Sequence, residues 1–175
     1  ASTVSANPIT QSNEVDVTIL PGEFSLTAPA VLDGFGSVEL KAEIQKLNTS
    51  FEAPFTVKDL RGTQEGWRLS VQADPLVNGE HTLPEASLTI KPVADIKRVG
   101  EGSGDEPIPM QTTAQPIDDG SAVGLVSAPV GGGMGVFEIT LPDNALEVTI
   151  DAVTARTDNG GVYKTTLNWS LVQAP

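Results

Sequence analysis

The stretch Trp67-Arg68-Leu69-Ser70-Val71-Gln72-Ala73 puts Trp67, Leu69, Val71 and Ala73 on one face of an extended chain and Arg68, Ser70 and Gln72 on the other. Apolar residues returning at every second position are the signature of a strand with one buried face. Near the other end, Tyr163, Thr165, Leu167, Trp169 and Leu171 share one parity, and Lys164, Thr166, Asn168 and Ser170 share the other. Both tryptophans of the chain thus fall in a Trp-x-Leu tripeptide on a predicted strand, and within each tripeptide the Trp and the Leu point the same way.

Working outward, nearly every apolar pattern has period two, and Thr, Val, Ile and Leu are frequent beside 17 Gly and 13 Pro. This is an all-β composition. Val15, Val17 and Ile19 predict a strand ahead of Pro21-Gly22, and Phe24 and Leu26 predict another ahead of Pro29. Ser37 to Ile44 predicts a strand with Val38, Leu40, Ala42 and Ile44 inward, and Phe55 and Val57 open the next. Leu76 to Leu83 reads as a loop with an Asn78-Gly79 turn signal, followed by a short strand from Leu88 to Ile90 that Pro92 stops. Gly100 to about Gly120 holds almost no large apolar groups and reads as a solvent-exposed insertion. Strands are then expected over Val123–Val126, Val136–Leu141, Leu146–Ala152 and Tyr163–Val172. No stretch has helical period for more than a turn or two. Short strands separated by turn signals predict an antiparallel β-sandwich, immunoglobulin-like, with a jelly roll as the alternative, built as one domain over residues 1–175.

Charge and composition exclude several functions. With 10 Lys+Arg against 23 Asp+Glu the net charge is -13, which opposes binding to nucleic acid or to an anionic membrane, both of which are held by cationic side chains. There is no Cys, so disulfides, thiolate metal sites and a cysteine nucleophile are ruled out. No apolar run approaches the roughly 18 residues of a membrane span, so membrane insertion is not expected. The small, polar opening Ala1-Ser2-Thr3-Val4-Ser5-Ala6 suits a point just after a removed secretory signal.

Catalytic constellations are weak. His81 is the only histidine, it lies between Glu80 and Thr82, and no Gly-x-Ser-x-Gly elbow precedes a helix, so it reads as a solvated loop residue rather than a triad base. A carboxylate pair for glycoside hydrolysis would need an aromatic-lined cleft, and aromatics are only 5% of the chain. Gly131 to Gly135 lacks the spacing of a phosphate cradle and runs into the β-type Val136-Phe137-Glu138-Ile139, so a hairpin loop or a close backbone approach is expected. No cofactor is called for. Calcium has two candidate loops, Asp118-Asp119-Gly120 and Asp158-Asn159-Gly160, but neither has the spacing of a dedicated loop, and structural turns are the preferred reading. Leu83-Pro84-Glu85-Ala86-Ser87 departs from a sortase signal and carries no anchoring role.

For the tryptophans two readings stand side by side. A Trp and a Leu two apart on an inner face are ordinary core residues, or the indole is a platform on which a sugar ring or a partner's side chain stacks. Asp59 and Arg61 share a parity and are expected to pair with each other or with the backbone near Trp67, as a structural clasp.

These residues carry a resemblance. Tyr163, Leu167, Trp169-Ser170-Leu171 and the closing Pro175 are similar to the carboxyl-terminal signature of the WxL domain family of surface proteins from low-GC Gram-positive bacteria. Val57-Lys58-Asp59-Leu60-Arg61-Gly62 followed by Gly66-Trp67-Arg68-Leu69 resembles the upstream signature, and the two together span essentially the whole chain. The resemblance implies a secreted, non-catalytic module at the bacterial cell surface, associated non-covalently with peptidoglycan. It also implies a capacity to assemble with a membrane-tethered WxL-interacting protein. The alternative is a protein-interaction subunit that binds such a partner, or a host extracellular matrix protein, in place of glycan. The candidate binding set is Trp67, Leu69, Trp169, Leu171, Tyr163, Asp59 and Arg61. A wall rich in anionic polymers should repel a chain of charge -13 unless divalent ions bridge or the wall is locally neutral.

Overall fold

The computed structural model describes residues 7–174; the secretory-signal reading of Ala1–Ala6 and the closing Pro175 lie outside them. Strands follow in the order β1 (Phe24–Thr27), β2 (Ile44–Thr49), β3 (Phe55–Asp59), β4 (Trp67–Ala73), β5 (Val77–Asn78), β6 (His81–Thr82) and β7 (Leu88–Ile90). They continue as β8 (Asp95–Val99), β9 (Ile108–Pro109), β10 (Gln115–Pro116), β11 (Val123–Ala128), β12 (Gly135–Thr140), β13 (Leu146–Asp151) and β14 (Leu167–Val172). There is no helix among the described residues.

All strand pairings are antiparallel, as expected of a sandwich. One sheet has the order β1, β3, β12, β8 and another the order β10, β7, β13, β2. They are two halves of a single bent surface, because β2 leads to β3, β7 to β8 and β12 to β13 through short connections. Each connection carries a proline, Pro54, Pro92 and Pro142, at the bend. A proline cannot donate to a ladder, so three at corresponding places break the pairing along one line and set the corner. Backbone bonds from Lys91 to Ala145 (2.8 Å) and from Ala94 to Thr140 (2.8 Å) extend the β7–β13 and β8–β12 pairings up to the corner.

The third sheet, with the order β14, β4, β11, β9, packs over the bent one. Its alternation is the one read from the sequence: Trp67, Leu69, Val71 and Ala73 are buried, and the intervening residues are half-buried. In β14, Leu167, Trp169 and Leu171 are half-buried, while Asn168, Ser170 and Val172 are exposed. A bulge between Gly124 and Val126 breaks the register of β11 on β4, which lets both Leu125 and Val126 reach the core. The core also takes Phe55, Val57, Phe137, Ile139, Leu88 and Ile90.

Two predicted strands are corrected. Val15, Val17 and Ile19 alternate as a strand should, yet they pair with nothing among the described residues and are 95%, 80% and 86% exposed. Ser37–Val38 and the residues up to Lys41 form no strand, and the true β2 begins only at Ile44. Its inward residues are Gln45, Leu47 and Thr49, so Ile44 faces solvent at 57% exposure. Pairing with β13, Leu47 opposite Val148 and Thr49 opposite Leu146, fixes that parity against the local apolar pattern. The expected insertion is exposed from Glu101 to Glu106, but further on it contributes β9 and β10 and buries Ile117 and Asp118. Strand β8 carried no sequence signal because Asp95, Lys97 and Arg98 interrupt it. It is held by pairing with β12, and the Arg98 guanidinium lies 4.7 Å from the centre of the Phe137 ring. The Asn78-Gly79 turn signal does close a hairpin, β5 to β6.

The glycine run is a place of close approach. The Trp67 indole N–H donates to the Gly133 carbonyl at 2.9 Å, and a side chain on Gly133 would meet the Ala128 Cβ and stand 2.7 Å from that same indole nitrogen. Gly133 also has φ +72°, where a side chain is strained. Gly133→Ala is therefore expected to lower stability by about 2–3 kcal/mol, read as a fall in urea midpoint at unchanged slope.

Candidate functional site

The two Trp-x-Leu strands are neighbours: β14 pairs with β4, with Leu171 opposite Leu69 and Trp169 opposite Val71. Their environments differ. β4 is flanked on both sides and β14 is at the edge of its sheet. Trp67 and Leu69 are both 0% exposed, so both side chains belong to the core. Trp169 is half-buried, its ring 4.5 Å from Phe55 and 5.6 Å from Phe51 in edge-on contacts.

Arg61 ties the two motifs together. Its Nε donates to Asp59 Oδ1 (2.9 Å) and its Nη2 to Asp59 Oδ2 (3.1 Å) and to the Gly66 carbonyl (3.1 Å), just before Trp67. Its Nη1 donates to Gln173 Oε1 (2.9 Å), just after the second tripeptide, and the guanidinium lies 3.7 Å from the centre of the Phe24 ring. The clasp expected from the shared parity of Asp59 and Arg61 is present, and it reaches further than the sequence indicated. The hydrogen bond to Asp59 is the main cause holding the Arg61 pKa above its usual value, while burial acts against it. A lysine offers no planar fork, so Arg61→Lys is expected to cost roughly 1–2 kcal/mol, seen in thermal melts, without disturbing strand content.

Tyr163 lies upstream of β14 and on the same parity as Trp169. Its hydroxyl accepts the Arg156 N–H and donates to the Arg156 carbonyl, both at 3.0 Å, which pins the loop of residues 156–163. The ring lines a half-open groove of about 420 Å³ together with Phe35, Leu47, Leu83, Val148 and Gly160. From this groove to Trp169 is six residues of extended chain, about 20 Å. Phe35 and Phe51 were not singled out from the sequence. Gly34 and Gly36 around Phe35 mark a turn but not a ring facing a groove.

The remaining candidates find structural partners. His81 Nε2 is 2.8 Å from Asp158 Oδ2, joining the β5–β6 hairpin to the loop beside Tyr163. That bond is the main cause holding the Asp158 carboxyl below its ordinary value. A carboxyl held low adds stability above its unfolded pKa and loses it as pH falls through the folded one. Asp118 Oδ2 accepts the Ser87 and Leu88 amides (3.1 and 3.2 Å), and Asp119 Oδ1 accepts the Ser121 amide (3.0 Å). Both aspartates thus serve turns and strand ends, and no group of three His, Cys, Asp or Glu among the described residues is arranged to hold a metal ion.

The fold is an antiparallel β-sandwich that buries one Trp-x-Leu strand beside a second, edge-placed one. The chain belongs to the WxL domain family, whose model, "WxL domain surface cell wall-binding", matches residues 12–175. The family is one of cell-wall binding, not catalysis, and it places the chain at the cell surface. No match was found among curated proteins or among solved structures. No helix of the described residues is long and apolar enough to cross a membrane.

Proposed function

We propose that this chain is a secreted, non-catalytic module, acting as one unit, that attaches to the cell wall without a covalent bond by taking peptidoglycan into the groove beside Tyr163. The observation that carries this reading is the division of labour between the motifs. The upstream Trp67 and Leu69 are sealed in the core, and the downstream motif residue Tyr163, with Phe35, presents two aromatic rings to a groove of about 420 Å³. Apolar and aromatic walls with a few fixed polar groups suit the ring faces of a sugar and the short apolar side chains of a wall peptide. Trp169, Leu171, Asp59 and Arg61 support the groove by fixing the course of β14.

A second reading, attachment through a WxL-interacting protein, is favoured by the free edge of β14 and by the charge of -13. The test is a pull-down of the purified chain on peptidoglycan stripped of teichoic polymers, with and without calcium, beside an immobilised WxL-interacting protein. Retention on stripped wall is expected, and a calcium requirement on unstripped wall alone would identify the repulsion of anionic polymers as the barrier. Retention by the partner protein alone would overturn the glycan reading.

A further inference from the structure

The apolar alternation of Val15, Val17 and Ile19 is that of a strand, but residues 7–21 form no hydrogen bond and no ion pair with the rest of the described chain. Glu14, Asp16 and Thr18 hold the opposite parity, so residues 14–19 have one apolar and one polar face, with Leu20 following on the polar parity. An unpaired strand of this pattern calls for a sheet edge with one unfinished apolar face.

The sandwich has such an edge. Trp169 of β14 meets Phe55 of β3, and Trp67 of β4 approaches Phe137 of β12 at 6.2 Å, so β14 lies over β3 and β4 lies over β12. This offset puts β14, the edge of its sheet, over β3, with β1 and its half-buried Phe24 and Leu26 one strand further out. Along this edge the half-buried Leu167, Trp169 and Leu171 alternate at the same period and over the same length as Val15, Val17 and Ile19.

In its own copy the segment lies away from this edge, unpaired and exposed. Arg61 contacts both Phe24 and Gln173, so the start of β1 and the end of β14 lie at one end of the sandwich, and residues 15–20 enter β1 from beyond that end. Gly22 donates to the Leu60 carbonyl (2.6 Å) and the Glu23 carbonyl accepts the Leu60 amide (2.8 Å), so the chain keeps the course of β1 back to residue 22.

We propose that residues 15–20 are a donor strand that adds antiparallel to β14 of a second copy of this chain, with Val17 opposite Trp169 and the apolar face turned toward Phe24 and Leu26. One chain carries both donor and acceptor at separate places, so the contact is head-to-tail and builds a string or a ring of copies. The groove beside Tyr163 stays open in this arrangement, and an array would multiply weak wall contacts. The inference does not depend on what the groove binds.

The test uses the whole chain, which has no cysteine of its own. Sedimentation velocity should show mass rising with concentration for the natural chain. Val17→Pro, at an exposed site, should weaken self-association by roughly tenfold or more at an unchanged melting point, because proline cannot complete the ladder. An Asp16→Cys copy mixed with a Ser170→Cys copy should form a disulfide under mild oxidation, and adding Val17→Pro to the first should suppress it. A monomer at every concentration with no such disulfide would overturn the proposal. Cross-linking of Asp16→Cys to Ser25→Cys on β1 in place of Ser170→Cys would overturn it equally, by moving the acceptor to the other edge.

Discussion

Trp67→Ala is expected to lower stability by about 4–6 kcal/mol and the melting point by about 10 °C or more. The side chain is 0% exposed, and its truncation opens a cavity between the two layers, a change that costs about 3–5 kcal/mol for a buried aromatic. The Gly133 carbonyl loses its donor as well, which adds about 1 kcal/mol. Whole domains are stable by only about 5–15 kcal/mol, so the loss is a large share of the total, at about 2–4 °C per kcal/mol for a chain of this size. Trp169→Ala, at a half-buried edge position, is expected to cost about half as much, since part of its surface is already in water. Near-ultraviolet circular dichroism during a thermal melt separates the two. A Trp67→Ala melting point within a few degrees of the natural one would show that the upstream tripeptide is not the core that joins the layers.

The second large effect is on binding. Phe35→Ala is expected to weaken retention on stripped peptidoglycan about tenfold, the equivalent of about 1.4 kcal/mol, with strand content intact. The ring is half-buried, lies in a loop between β1 and β2, and lines the groove with Tyr163, so its removal takes away contact area while the sheets keep their ladders. Leu83→Ala, by contrast, removes a side chain that also lines the groove but is buried, and it should cost stability and binding together. Unchanged retention for Phe35→Ala in a folded chain would move the contact out of the groove.

The strands that place the site were legible because their alternation and their tertiary environment agree. Trp67 to Ala73 and Leu167 to Val172 have the parity that the sequence dictates. Where the readings differed, pairing decided against local pattern. Ser37 to Ile44 alternates without a neighbour, β2 takes its register from β13, and β8 has its charges on a strand that only its bonds to β12 define. Val15 to Ile19 alternates as clearly as any strand in the chain yet has no neighbour among the described residues, a mismatch that one sequence alone cannot reveal.

The site was partly legible. Asp59 and Arg61 share a parity two residues apart, so their pairing followed from local geometry, whereas the bond from Arg61 to Gln173 closes over most of the chain. The difference between the tryptophans follows from strand order, with β4 inside its sheet and β14 at the edge, and alternation carries no information about order. The groove was invisible for the same reason: Phe35, Leu47, Leu83 and Tyr163 converge only after the sheets have bent and packed.

The most direct test of the central claim is a titration of the isotope-labelled chain with soluble, teichoic-free peptidoglycan fragments, followed by amide chemical shifts. Binding in the groove predicts saturable shifts concentrated at residues 34–37 and 160–163, with β8 and β9 unmoved. An absence of shifts at saturating fragment, or shifts confined to the edge of β14, would contradict direct attachment to peptidoglycan through the groove.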